Sequence, residues 1–336
     1  MCGVPVVIGA RTIALVATAV LIAGCSSGVP AAQRESGQTV ATLDPAALRL
    51  DVQRTDIGTG TMAWAEVGSG EPLILLNGTA SPMAEWDPAF LAALAARHRV
   101  LVLDYPGLGG STRLPGRLTF DKLADAMVRW MAAIDLDRAT VLGWSMGTFV
   151  AQRMAVRYPE AVARLILVGG NPGGDRTVLG PPWVQRADSD PNYTIETYLR
   201  TNYPHTRCAQ RAGKAFLARQ EAAVESGRYP PDRVPTRTYD AMVAAEDPWL
   251  RSNRNLRQLS QLDVPSLVMV GAGDVITPPA NSRVLAGALE GSVDRDITGA
   301  GHSVLFQEPE LSASLIGGFM VGGLDPGRTR VSGKCG

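Results

Sequence analysis

Gly143-Trp144-Ser145-Met146-Gly147 joins two stretches that need opposite backbone geometries. Before it runs Ala139-Thr140-Val141-Leu142, apolar and rich in β-branched residues, as a buried strand is. After it, residues 148–158 carry helical spacing up to Pro159. A chain that passes from strand to helix in so few residues bends sharply, and the residues flanking Ser145 must be small to permit it. The bend lifts the serine hydroxyl above the sheet edge, at the N-terminus of a helix that favours developing negative charge.

The rest of the chain repeats this rhythm. Leu73-Ile74-Leu75-Leu76, Val100-Leu101-Val102-Leu103, Leu165-Ile166-Leu167-Val168 and Ser266-Leu267-Val268-Met269-Val270 are continuous apolar runs. Such runs suit strands covered on both faces. Helices are expected between them. One starts at Asp87-Pro88, an N-cap followed by proline in the first turn. Another starts near Thr119, with Leu123, Met127, Trp130, Met131 and Ile134 on one stripe. Residues 48–53 and 61–67 alternate well enough for two antiparallel strands ahead of this series. The expected architecture is α/β: a mostly parallel central sheet with helices on both faces.

The rhythm stops at Asn171. Residues 172–259 lack strand-like runs and contain helical patches, so they form a mainly helical insertion. The sheet resumes at Ser266, followed by a helix over 279–289, a short strand over 293–297 and a closing helix from Pro309 to Met320. The main domain is placed at 47–322, and 323–336 reads as a disordered tail.

The first residues have another purpose. Arg11 is the only charged residue before Cys25, and 12–23 is a short apolar segment, the pattern of an export signal. Leu21-Ile22-Ala23-Gly24-Cys25 resembles a bacterial lipobox. That resemblance implies cleavage of a signal peptide over 1–24, lipidation of Cys25 with fatty acyl chains, and a protein exported and anchored to the cell membrane. Residues 25–46 would be a flexible tether. With 32 basic and 32 acidic residues the chain is neutral, which gives no footprint for nucleic acid. Of the four cysteines, Cys208 and Cys335 remain, and the exported context leaves a disulfide between them open. No cysteine spacing matches a metal site, and no cofactor is expected.

A serine nucleophile needs a base, and the chain has three histidines. His98, between Arg97 and Arg99, reads as a surface residue. His205 lies in the insertion with no strand to hold it. His302, in Gly299-Ala300-Gly301-His302-Ser303 after the last short strand, is placed where a loop can fold back to Ser145. The base needs a carboxylate to orient it. Asp274 follows a parallel strand and shares the sheet edge with Ser145 and His302; Asp175 is a weaker alternative, and Asp104 reads as structural. The residue after the nucleophile opens a helix with a free N–H, so Met146 is a candidate donor to an oxyanion.

These segments, with Asp104-Tyr105-Pro106-Gly107-Leu108-Gly109, make the chain resemble a capped α/β-hydrolase fold enzyme of the serine esterase/lipase type. The resemblance implies that the insertion is a cap over the site and that the N–H of Thr79 joins Met146 in the oxyanion hole. It also implies hydrolysis of a small ester or related acyl substrate through Ser145, His302 and Asp274. One departure is Asn77-Gly78, where the family usually has His-Gly. Ser145 argues against dehalogenases and epoxide hydrolases, which need a carboxylate nucleophile. Thioesterase, carbon–carbon bond hydrolase, peptidase, perhydrolase and a non-catalytic envelope binding protein stay open, as does oligomeric state. Trp183, Tyr193, Tyr198, Tyr203, Phe216 and Trp249 are candidates for pocket lining or for cap core.

Overall fold

The computed structural model describes residues 43–188 and 193–336. The expected signal peptide, Cys25 and the tether as far as residue 42 lie outside the described residues. Nine strands form one sheet. They are β1 (Gln53–Asp56), β2 (Thr61–Val67), β3 (Glu71–Leu76), β4 (His98–Leu103), β5 (Ala139–Trp144), β6 (Val162–Val168), β7 (Ser266–Gly271), β8 (Val293–Thr298) and β9 (Gly327–Ser332). Their spatial order is β1-β2-β4-β3-β5-β6-β7-β8-β9. β1 and β2 pair antiparallel, as do β2 and β4, and every other pairing is parallel.

The apolar runs divide their side chains between two cores, as a period of two requires. Ile74, Leu76, Val141, Leu165, Leu167 and Val268 face one core, and Leu73, Leu75, Leu142, Ile166 and Val168 face the other. The helix α1 (Pro88–Ala95) is capped by Asp87, whose carboxylate accepts from Ala89 N, and it packs with a later helix on the second face. On the first face, α2 (Phe120–Ala133) is capped by the Thr119 hydroxyl and lies beside α3 (Gly147–Arg157).

Between β6 and β7 the insertion folds as α4 (Pro182–Asp188), α5 (Ile195–Asn202), α6 (Arg207–Glu225), α7 (Thr236–Leu250) and α8 (Arg254–Leu259). α8 packs against α3, with Asn255 Nδ2 donating to Gln152 Oε1 at 2.7 Å and Leu259 fully buried in the first core. It therefore behaves as part of the sheet's helical layer. After β7 come α9 (Ala280–Ala288), α10 (Val304–Gln307) and α11 (Pro309–Met320), the last beside α1. The cap is fastened to the core by an ion pair: Arg219 of α6 donates to both oxygens of the buried Asp87, at 2.9 and 2.6 Å. A bidentate pair of this kind fixes orientation as well as contributing attraction.

Three expectations need correction. The first strand is 53–56, not 48–53; Leu48 and Leu50 are buried, and Leu50 N donates to Arg228 O instead of pairing with β2. The alternation there serves packing against the cap. The tail 323–336 is not disordered: β9 lies in it and pairs with β8 from Gly327 to Ser332. Its Arg and Thr residues suit an exposed edge strand, whose polarity conceals it in the sequence. His98 is not a surface residue but a buried one in β4, and burial lowers its pKa. Among the described residues no helix is long and apolar enough to cross a membrane.

Candidate active site

Ser145 holds a positive φ of 53°, in a region non-glycine residues seldom occupy. The glycines beside it are there for space. A Cβ on Gly143 would lie 2.3 Å from Gly147 O, and one on Gly147 would lie 2.0 Å from Leu76 O. The turn therefore closes only with glycine at both positions. Ser145 N donates to Val168 O at the end of the neighbouring strand β6.

The loops after β7 and β8 converge on the same edge. Ala272 N donates to Ile297 O at 2.8 Å and Gly273 N to Ala300 O at 2.9 Å, so main chain binds the two loops together. This brings His302 Nδ1 to 2.8 Å from Asp274 Oδ2, with both residues 3% exposed. Oδ1 of Asp274 accepts from Ile276 N and Thr277 N, each at 2.9 Å. Thr277 Oγ1 lies 2.7 Å from Gly169 O, 2.9 Å from Asp274 Oδ2 and 3.2 Å from His302 Nδ1. The carboxylate is thus held on both oxygens, in one orientation.

Gly169 links this pair to Ser145. It follows Val168, which accepts from Ser145 N, and a Cβ on it would stand 3.3 Å from both Asp274 Oδ2 and His302 Nδ1. Trp144 makes a second link, its Nε1 donating to the carbonyl of His302 at 3.0 Å. The side-chain bonds of His302 run from Nδ1 to Asp274 and Thr277; among the described residues none reaches Ser145. Catalytic hydrogen bonds commonly tighten only when substrate is bound.

Above β3, Asn77 does what the sequence left in question. Its Nδ2 donates to Pro82 O at 3.1 Å, its Oδ1 accepts from Gly78 N at 2.9 Å, and its carbonyl accepts from Tyr105 Oη at 3.1 Å. The amide therefore ties the loop down in place of an imidazole. Among the described residues, no main-chain bond takes up the N–H of Thr79 or Met146. Gly78 packs against the elbow, where an added Cβ would lie 3.5 Å from Ser145 Cβ. Asp104 accepts from Met83 N at 2.8 Å and Gly110 N at 2.9 Å, joining the two loops on that side, as a structural residue would.

The other candidates separate. Asp175 is exposed on the short turn Gly174–Arg176, its N–H bonded to Asn253, and does not meet His302. His205 bonds Arg200 O and lines a cleft of about 500 Å3 with Ile195, Leu199, Arg200 and Lys214, away from the elbow. Of the cap aromatics, Trp249 stacks on Phe149 and donates to Asn171, while Phe216 stacks on Phe306; both are core. Trp183 sits against His205 and Arg200. Tyr193 bonds Thr201 through its hydroxyl. Tyr198 reaches Ser303 Oγ at 3.1 Å and rests edge-on to the buried Tyr203. Among the described residues, no cluster of three or more His, Cys, Asp or Glu side chains could hold a metal.

Several contacts carried no signal in the sequence. The Trp144 indole and the Thr79 hydroxyl, which donates to Glu246 Oε1 of the cap at 2.9 Å, join residues 158 and 167 positions apart. The turn at Asp274 was legible in principle, since an Asp side chain commonly accepts from backbone N–H groups two or three residues on.

Residues 71–309 match the family model described as alpha/beta hydrolase fold. The chain is 26% identical over 262 residues to the biotin biosynthesis bifunctional protein BioHC of Teredinibacter turnerae, a match covering 74% of this chain and 44% of that protein. It is 28% identical over 259 residues to the pimeloyl-(acyl-carrier protein) methyl ester esterase of Edwardsiella ictaluri, covering 74% and 92%. Its fold superposes with a TM-score of 0.73 on an alpha/beta hydrolase fold protein from Chitinophaga pinensis, at 22% identity over 83% of this chain and 99% of that one.

Proposed function

This chain belongs to the alpha/beta hydrolase fold family, and we propose that it is a serine hydrolase that cleaves carboxylic esters through an acyl-enzyme. The observation that carries the reading is the buried 2.8 Å contact of Asp274 with His302 beside the strained elbow of Ser145. A histidine held by a carboxylate at one ring nitrogen presents the other as a base. Ser145 Oγ attacks the substrate carbonyl while His302 Nε2 takes its proton. The negative charge on the carbonyl oxygen falls to the N–H groups of Thr79 and Met146. The C–O bond breaks as His302 returns the proton to the leaving alcohol, and water repeats the sequence to release the acid. Asp274 keeps His302 in the tautomer with a proton on Nδ1 and stabilises the imidazolium.

The ester reading draws on the methyl ester esterase among the relatives, and at 28% identity that protein's own ester is not carried over. A fluorophosphonate probe on folded protein tests the chemistry. Labelling at Ser145, and turnover of short acyl esters abolished by Ser145→Ala, is expected. An unlabelled folded protein sinks the reading and leaves a non-catalytic binding role. Thioesters, amides and peroxide run beside the esters distinguish the other chemistries of this fold.

We further propose that the protein is exported and held at the cell membrane by lipid on Cys25. The Leu21-Ile22-Ala23-Gly24-Cys25 segment supports this, as does a disulfide between Cys208 and Cys335, a bond that persists in oxidising compartments. Cys25→Ala is expected to release the protein from the membrane fraction. Retention there would overturn the anchor.

A further inference from the structure

The loop that carries His302 is gripped from two sides. On one side lies the segment after β9, residues 333–336. Gly333 N donates to Thr298 O at 3.2 Å, and Gly299, at φ 71°, is packed so closely that a Cβ on it would stand 2.3 Å from the Cys335 carbonyl carbon. On the other side lies the cap. Asn202, the last residue of α5, accepts from Ser303 N at 3.2 Å through its carbonyl and from Ser303 Oγ at 3.1 Å through its side chain. A Cβ on Gly301 would lie 2.4 Å from that same Asn202 carbonyl oxygen. The two jaws are joined to each other: Cys208, at the start of α6, is bonded to Cys335 across 127 residues of chain.

We propose that Cys208–Cys335 is a positioning bond for His302, closing a covalent bracket of the cap and the segment after β9 around the base loop. The proposal rests on His302 being the general base. Residues 333–336 follow β9 outside any helix or strand and form one wall of the loop, and the disulfide is their covalent tie to α6. Without the bond that wall keeps the contacts of Lys334 with Glu308 and Glu310, at 2.9 and 2.8 Å, and the loop keeps its bonds to Gln307, but the covalent coupling of the wall to α6 is lost. A base displaced by about 1 Å can cost a hundredfold in rate, so partial loosening is expected to cost about tenfold.

The test uses the full chain carrying Cys208→Ser with Cys335→Ser, assayed on a short acyl ester well below its melting temperature. The expected result is a kcat lower by about tenfold with KM within about twofold, and a slower fluorophosphonate reaction. The acidic limb of the kcat–pH profile is expected to move, with faster hydrogen exchange over 299–303. A variant that melts earlier but keeps the wild-type kcat and pH profile overturns the proposal, since the bond is then only structural. Where the double variant fails to fold, the wild type reduced and alkylated after folding is assayed beside its oxidised form. The same kcat-specific loss is expected, and an unchanged kcat with the Cys208–Cys335 bond broken overturns the proposal. Absence of labelling and turnover in the wild type defeats the serine-hydrolase reading itself, whereas an active wild type matched by its variants defeats only the bracket.

Discussion

The indole N–H of Trp144 donates to the main-chain carbonyl of His302 at 3.0 Å, so the residue before the candidate nucleophile holds the loop of the candidate base. The two rings lie 5.4 Å apart, and Trp144 packs edge-on to Phe306 of α10 at 4.9 Å. The elbow and the His302 loop thus share one buried side chain. Trp144→Phe keeps most of the packing and removes the donor. We expect kcat to fall by roughly tenfold, the cost of about 1.4 kcal/mol in the transition state, with folding retained. Steady-state kinetics beside circular dichroism checks this; full activity would assign the indole to packing alone.

Asp274→Asn should lower kcat by about 10⁴-fold, because an amide that donates to Nδ1 leaves the wrong tautomer at the reacting nitrogen. Asp175→Asn should change nothing, as that carboxylate is exposed and away from His302. Loss of activity in the Asp175 variant with retention in the Asp274 variant would exchange their roles.

Gly147→Ala is predicted to destabilise the fold by about 3 kcal/mol or more, a magnitude reached when a core or turn has no room to relax. The added methyl would sit 2.0 Å from Leu76 O, a backbone atom of β3 that cannot swing aside. The midpoint of urea unfolding measures it. A midpoint within error of wild type would show that the elbow has slack.

Burial, reinforced by Asp232 and opposed by a hydrogen bond to Ser81, pushes the Glu85 carboxyl up to about 8. The folded state therefore keeps this proton between its ordinary value of 4.5 and about 8, while the unfolded chain has released it. Stability is greatest below that window and falls as pH rises through it. Glu85 keeps part of its surface in water, so only part of the shift reaches stability. Thermal scans should show Tm falling by roughly 2–4 °C from pH 5 to pH 9, and Glu85→Gln should reduce that slope. An identical slope in the variant would remove Glu85 as its source.

What was legible in the chain was whatever depends on near neighbours. The apolar runs of β3 to β7, the caps at Asp87 and Thr119, and the elbow glycines each answer a local requirement, and each lies where it was expected. That Asp274 and His302 would meet was legible because a parallel sheet puts every strand's C-terminal end on one edge. β9 was not, since Gly327–Ser332 is an exposed edge strand whose pairing to β8 leaves no apolar period. Leu48 and Leu50 misled for the converse reason: their alternation records burial under the cap, not a ladder.

By itself, then, the sequence determined the elbow at Ser145, the alternation around it and the order in which Ser145, Asp274 and His302 occur. Steric limits on a strand-to-helix turn act within five residues and survive any change elsewhere. Only the tertiary structure decided what surrounds the His302 loop: the Trp144 indole on its carbonyl, Asn202 of the cap on Ser303, and a disulfide that joins Cys208 to Cys335 beside Gly299. Those contacts join positions about a hundred or more residues apart. Distances of that kind are set by how the layers stack, which no local pattern encodes.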